Sequence, residues 1–123
     1  MALILIIDDD DQFRAMLRQM LEYEGYEVVD APDGKEGIRI YRVKPTDLII
    51  TDIVMPKKEG IETIVELRRD FPEVKIIAMS GGGILGPDTY LQMAKGLGAM
   101  RTLTKPIKRE DFLKAVWELL DEK

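Results

Sequence analysis

The chain has 123 residues, 46% hydrophobic and 33% charged, with a net charge of -5; this suits one well-packed domain and excludes both disorder and a two-domain catalytic architecture. Cys and His are both absent, which removes disulfides, thiolate nucleophiles, Cys/His zinc sites, imidazole catalysis and Ser-His-Asp triads. Any metal must then be hard and oxygen-bound, Mg²⁺, Mn²⁺ or Ca²⁺, and the acidity, with no basic stripe, argues against direct nucleic-acid binding.

Leu3-Ile4-Leu5-Ile6-Ile7 is continuously apolar and predicts a strand buried on both faces. The run has no basic start or cleavage site, so it is no signal peptide. No apolar stretch reaches the roughly 18 residues that span a bilayer; a cytoplasmic chain without membrane attachment is expected. Phe13, Met16, Leu17, Met20 and Leu21 then recur at helical spacing up to Gly25. Tyr26 to Val29 predicts a second strand, and Asp33-Gly34 opens a helix carrying Ile38 and Tyr41 that Pro45 closes.

Asp47 to Thr51 predicts the third strand, followed by a helix with Ile61, Ile64, Val65 and Arg68 in phase. Val74 to Ala78 predicts the fourth strand, and Pro87 suits the first residue of a helix running to about Leu97. A short fifth strand falls near Met100 to Leu103. The last helix runs from about Arg109 with Phe112, Leu113, Val116, Leu119 and Leu120 on one face. Met16, Met20, Met79 and Met93 are read as core. Five strand-helix alternations without repeat or linker predict a single α/β domain over 1–123, a doubly wound parallel sheet with helices on both faces.

In such a sheet all strand C-termini share one edge, where ligands bind. The polar residues following each apolar run are Asp8 and Asp9, then Asp52, then Ser80, then Lys105. Three carboxylates in one pocket resist joint ionisation, and a divalent cation, Mg²⁺ best and Mn²⁺ next, relieves them. With an ammonium and a hydroxyl alongside, the pocket suits phosphoryl oxygens, and a carboxylate there can become an acyl phosphate. Asp10 and Asp11 read more simply as a helix cap and a solvated first turn. An EF-hand is excluded because its sixth position is Phe13 rather than Gly, and Gly81-Gly82-Gly83 lacks the Gly-Lys-Ser/Thr of a phosphate loop.

The succession Ile6-Ile7-Asp8-Asp9-Asp10, Asp52-Ile53-Val54-Met55-Pro56, Ser80-Gly81 and Lys105-Pro106 resembles the CheY-like receiver domain of response regulators. Pro45 to Ile50 and Gly60 fit as well. The resemblance covers Leu3 to Leu120 and implies the flavodoxin-like strand order 2-1-3-4-5. It implies Asp52 as phosphoacceptor, Asp9 as a direct metal ligand, Asp8 acting through water and the Val54 backbone carbonyl as a further ligand. Ser80 and Lys105 would hold the phosphoryl group, and Lys105-Pro106 would be cis. The partners it implies are a sensor histidine kinase or phosphotransfer protein, and a downstream effector or C-terminal output domain.

So read, the chain is a signalling phosphoacceptor that catalyses only its own phosphorylation and dephosphorylation. Two departures from the pattern stand out. Thr102 stands where receivers often carry a switching aromatic, which leaves signalling to Ser80 and the glycine-rich loop. Val54 and Gly82 stand where fast-hydrolysing receivers place polar side chains. The rival readings are a haloacid-dehalogenase-type phosphatase, whose Asp-x-Asp-x-Thr pattern is broken here by Gln12, and a phosphorylation-independent receiver-like module, whose expected loss of a carboxylate or lysine has not occurred.

Overall fold

The computed structural model describes residues 2–53, 60–81 and 87–121, apart from the side chains of 87–91 and 121. Strands and helices alternate: β1 Leu3–Ile7, α1 Asp11–Tyr23, β2 Glu27–Ala31, α2 Gly34–Val43, β3 Leu48–Asp52, α3 Gly60–Asp70, β4 Ile76–Ser80, α4 Pro87–Leu97, β5 Arg101–Thr104 and α5 Arg109–Asp121. The strands pair in parallel in the order β2-β1-β3-β4-β5, the arrangement expected from the sequence.

Strand alternation explains the two apolar layers. Ile4 and Ile6 of β1 face one side and join Ile50, Ile77 and Met79 against Leu17 and Leu21 of α1 and Phe112, Val116 and Leu119 of α5. Leu5 and Ile7 face the other side, with Ile49, Ile76 and Ala78, against Ile38 and Tyr41 of α2, Ile64 and Leu67 of α3 and Ala94 of α4. Each fully buried branched side chain stabilises by roughly 1.5–3 kcal/mol, so every helix is held by its apolar stripe. A strand apolar on both faces does not set its own register. Its ends do so: the Leu3 amide donates to the Asp47 carboxylate at 2.8 Å, and the Asp8 amide donates to the Ala31 carbonyl at 3.2 Å. A slip would draw the charge of Asp8 into the apolar layer.

Most strands sit one or two residues later than the apolar runs suggest. The sequence predicts 26–29, 47–51, 74–78 and 100–103; the structure has Glu27–Ala31, Leu48–Asp52, Ile76–Ser80 and Arg101–Thr104. Pairing continues past the last apolar residue, since Asp52 pairs with Met79 and Ser80 with Thr104. In α3 the predicted phase is partly wrong. Val65 is exposed, while Thr63 and Leu67 are buried with Ile64. Of the four methionines read as core, Met79 is buried and Met20 packs at its margin, but Met16 and Met93 lie on the surface.

Candidate functional site

The switch point falls between β1 and β3, where the chain leaves in opposite directions. Ile7 pairs with Thr51, so Asp8 and Asp52 emerge side by side. One strand over, Ser80 ends β4 beside Thr104, and Lys105 follows. The register alone thus brings together Asp8, Asp9, Asp52, Ser80 and Lys105 at one edge, as predicted. Asp10 is the N-cap of α1, accepting from the Phe13 amide at 3.0 Å, and Asp11 is exposed, as the plainer reading held.

Asp8 is fully buried and both its carboxylate oxygens are engaged: Oδ1 accepts from the Asp10 amide at 2.9 Å and Oδ2 from Lys105 Nζ at 2.9 Å. Asp52 is nearly as buried. Its Oδ1 accepts from the Ile53 amide at 2.9 Å, and its Oδ2 lies 3.6 Å from Lys105 Nζ. Asp9 is exposed. One ligand oxygen from each of Asp8, Asp9 and Asp52 can be chosen so that all lie within 4.8 Å of one another. Burial pushes the Asp52 carboxyl up to about 6; the Lys105 charge opposes this, the Asp8 charge adds to it, the Ile53 amide opposes it and Asp9 adds to it. Two buried carboxylates and a solvent-facing third, answered by one ammonium, form an all-oxygen donor set suited to a hard divalent cation. Among the described residues no other cluster of this kind occurs.

Lys105 reaches this position through the end of β5. Its amide donates to the Ser80 carbonyl at 2.9 Å, and the Lys105-Pro106 peptide is cis, as expected. Ser80 is buried at the edge of the site. Thr102, at the position of the missing aromatic, lies in β5 beside Ala78 and is half-buried. Val54 and Gly82 fall outside the described residues, so neither the expected carbonyl ligand nor the water-facing positions are placed here. Gln12 is exposed on the first turn of α1.

Three contributors were not predicted as site residues. Arg14 donates to the Asp8 carbonyl at 2.6 Å and to Asp11 at 2.7 Å, and lies 3.6 Å from Asp30 at the end of β2, fixing the acidic turn to α1 and β2. Phe13 lies beneath the Lys105 ammonium, and Gly60 lies against the backbone of Asp52; no local pattern announces either contact. A hollow of about 510 Å³ at the opposite sheet edge is lined by Tyr41, Asp47, Glu73 and Lys75. There Asp47 is committed to the Leu3 amide and Lys75 to the Leu119 carbonyl at 2.7 Å.

Residues 4–117 match the response regulator receiver domain family. The chain is 30% identical over 119 residues to the transcriptional regulatory protein GlrR of Escherichia coli (strain K12), covering 97% of this chain but only 26% of GlrR. It is 31% identical over 118 residues to the chemotaxis protein CheY of Halobacterium salinarum, covering 95% of each. A CheY-like response regulator receiver domain from Methanospirillum hungatei superposes with a TM-score of 0.90 at 32% identity, covering 99% of this chain and 95% of that one.

Proposed function

The chain belongs to the response regulator receiver domain family, and on that premise we propose that it takes a phosphoryl group from a phosphohistidine donor onto Asp52, with Mg²⁺ at Asp8, Asp9, Asp52 and the Val54 carbonyl. The observation that carries this reading is the meeting of three carboxylate ligand atoms within 4.8 Å beside an ammonium 3.6 Å from Asp52. Mn²⁺ suits the same donors.

In the transfer, a carboxylate oxygen of Asp52 forms a bond to phosphorus while the P–N bond of the donor breaks. The departing imidazole nitrogen keeps the electron pair and is reprotonated from solvent. Phosphoryl transfer asks for positioning and charge neutralisation rather than for an acid-base pair, which a site without histidine can supply. Asp8, Asp9 and Asp52 would hold the cation, which would neutralise phosphoryl oxygens and offset both the burial and the neighbouring carboxylate charges that disfavour ionised Asp52. Once Asp52 carries the phosphoryl group, Lys105 exchanges its carboxylate partner for a phosphoryl oxygen, to which its ammonium donates. The Ser80 hydroxyl, one strand away, takes another, and its differential contact biases two conformations.

The donor is a sensor histidine kinase or phosphotransfer protein. The output is an effector protein or a C-terminal output domain, in keeping with the greater length of GlrR. Among the described residues no helix is long and apolar enough to cross a membrane, and the cysteine-free sequence fits a cytoplasmic setting. The test is transfer from a radiolabelled histidine phosphotransfer domain: label should leave the donor for this chain and be removed by hydroxylamine. Label that stays on the donor, or survives hydroxylamine, contradicts the assignment.

The side chains of Val54 and Gly82 bear on lifetime through their chemistry alone, since neither position is described. Hydrolysis needs an oriented water, and an isopropyl group or a hydrogen cannot hold one. The domain should therefore keep its phosphoryl group longer than a fast chemotaxis receiver, suiting outputs such as gene regulation. Val54→Asn combined with Gly82→Glu is expected to speed dephosphorylation by about tenfold, the worth of one such contact. Loss of phosphate at the parental rate would remove water positioning from the explanation.

A further inference from the structure

Lys105 is held on three sides, and its ion pairs with the carboxylates are the contacts that weaken when a cation fills the site. Its stem passes against Gly81, where a Cβ would stand 2.5 Å from Lys105 Cβ and 3.2 Å from Cγ and Cδ. Its ammonium is paired with Asp8 at 2.9 Å and faces Asp52 at 3.6 Å. The same nitrogen lies 4.2 Å from the centroid of the Phe13 ring. Phe13 sits on the first turn of α1, half-buried at the margin of the core around Leu17 and Phe112. The backbone of that turn is tied to the Asp10 cap, and Arg14 next to it is tied to the Asp8 carbonyl.

The carboxylates are also the donor set for a cation, and Asp52 is the acceptor for the phosphoryl group. When a cation takes up these carboxylates, before the phosphoryl group arrives, the ion pairs that place the ammonium weaken and the divalent charge repels it. A ring face attracts a cation through its quadrupole, independently of what the carboxylates are doing. We propose that Phe13 is a positioning residue for phosphoryl transfer: its ring holds the Lys105 ammonium at the site edge while a cation occupies Asp8 and Asp52, until the incoming phosphoryl oxygens engage it. This inference rests on the phosphoacceptor reading of Asp52 and adds to it a residue on another element. It also gives α1 a stake in the loaded state, because any shift of its first turn moves the ring under the ammonium.

The experiment compares wild type, Phe13→Leu, Phe13→Tyr and Phe13→Trp as full chains. Labelling rate with a small-molecule phosphodonor in Mg²⁺ is measured, together with the chemical shift of the Lys105 ε-methylene in the unphosphorylated protein with and without Mg²⁺. Leu keeps the apolar burial and removes the ring; Tyr and Trp keep a ring. The expected result is an upfield Lys105 ε-methylene in wild type that persists in Mg²⁺, lost in Phe13→Leu. Labelling in Phe13→Leu should be slower by about three- to tenfold, with rate and shift restored in at least one aromatic variant. A merely structural role would leave the shift unrelated to the rate and would tolerate Leu as well as Tyr or Trp. Labelling of Phe13→Leu at the wild-type rate, both aromatic variants as slow as Leu, or an unshifted methylene in wild-type Mg²⁺ samples would overturn the proposal. A wild type that does not label at all would instead overturn the phosphoacceptor reading.

Discussion

Gly60→Ala is expected to destabilise the protein by about 3 kcal/mol, near the upper end for overpacking. A Cβ at this position would lie 2.1 Å from the Asp52 carbonyl oxygen, 2.4 Å from Ile53 Cα and 2.9 Å from the Asp52 carbonyl carbon. All three are backbone atoms at the end of β3, so no side-chain rotation can relieve the clash. The Gly60 amide meanwhile donates to the Ile53 carbonyl at 2.6 Å, seating the first turn of α3 on the strand that carries Asp52. Either the helix lifts away from Ile53 or the strand end shifts, and both disturb the candidate nucleophile. Gly96→Ala is the control: nothing lies within 4 Å of a Cβ there. Within α4 it should stabilise by about 0.5–1 kcal/mol through helix propensity. Urea unfolding reads both, and a Gly60→Ala midpoint equal to wild type would show that the close approach does not constrain the site.

Asp52→Asn is expected to make the metal-free protein more stable near neutral pH, by on the order of 1–3 kcal/mol. The Asp52 carboxyl is pushed up to about 6 in the fold from an ordinary 3.8, chiefly by burial. The folded state thus binds this proton more tightly than the unfolded chain. The corresponding stability is fully present below about pH 4 and is lost as pH rises through about 6, where the folded carboxyl ionises. The difference between variant and wild type should accordingly grow across that window and level off above it. Adding Mg²⁺ should narrow the gap from the wild-type side, because a cation that binds only the folded donor set stabilises it, and the amide variant has lost one charge of that set. Denaturant midpoints in chelator and in Mg²⁺ across this pH range check both parts. A flat difference curve would mean that burial does not hold the proton on Asp52.

Much of this was legible in the sequence because parallel sheets turn position into proximity. A polar residue just after an apolar run must lie on the C-terminal edge, and that rule alone brings Asp8, Asp52, Ser80 and Lys105 together. The rule does not say where a strand stops, and Asp52 and Ser80 proved to be the last paired residues of their strands rather than the first beyond them. Val74 shows the opposite error: it is buried and apolar but precedes β4, since hydrophobicity reports burial and not pairing. In α3 the spacing put Val65 in phase with Ile61 and Ile64, whereas the buried stripe runs through Thr63, Ile64 and Leu67, because the face a helix turns to the core is set by its neighbours. Contacts that join distant elements had no local signal. Lys105 follows Asp8 by 97 residues, and its perch on Phe13 depends on where α1 crosses the edge, which only the assembled fold decides.

The central claim is that Asp52 is the nucleophile and that a divalent cation at the three carboxylates enables it. Incubation with a small-molecule phosphodonor, with Mg²⁺ and with chelator, followed by peptide mapping in a mass spectrometer, addresses both halves at once. The account predicts a single hydroxylamine-sensitive phosphoryl group on the peptide containing Asp52, formed in Mg²⁺, absent in chelator and absent from Asp52→Asn. Undiminished labelling of Asp52→Asn, or full labelling in chelator, would contradict it.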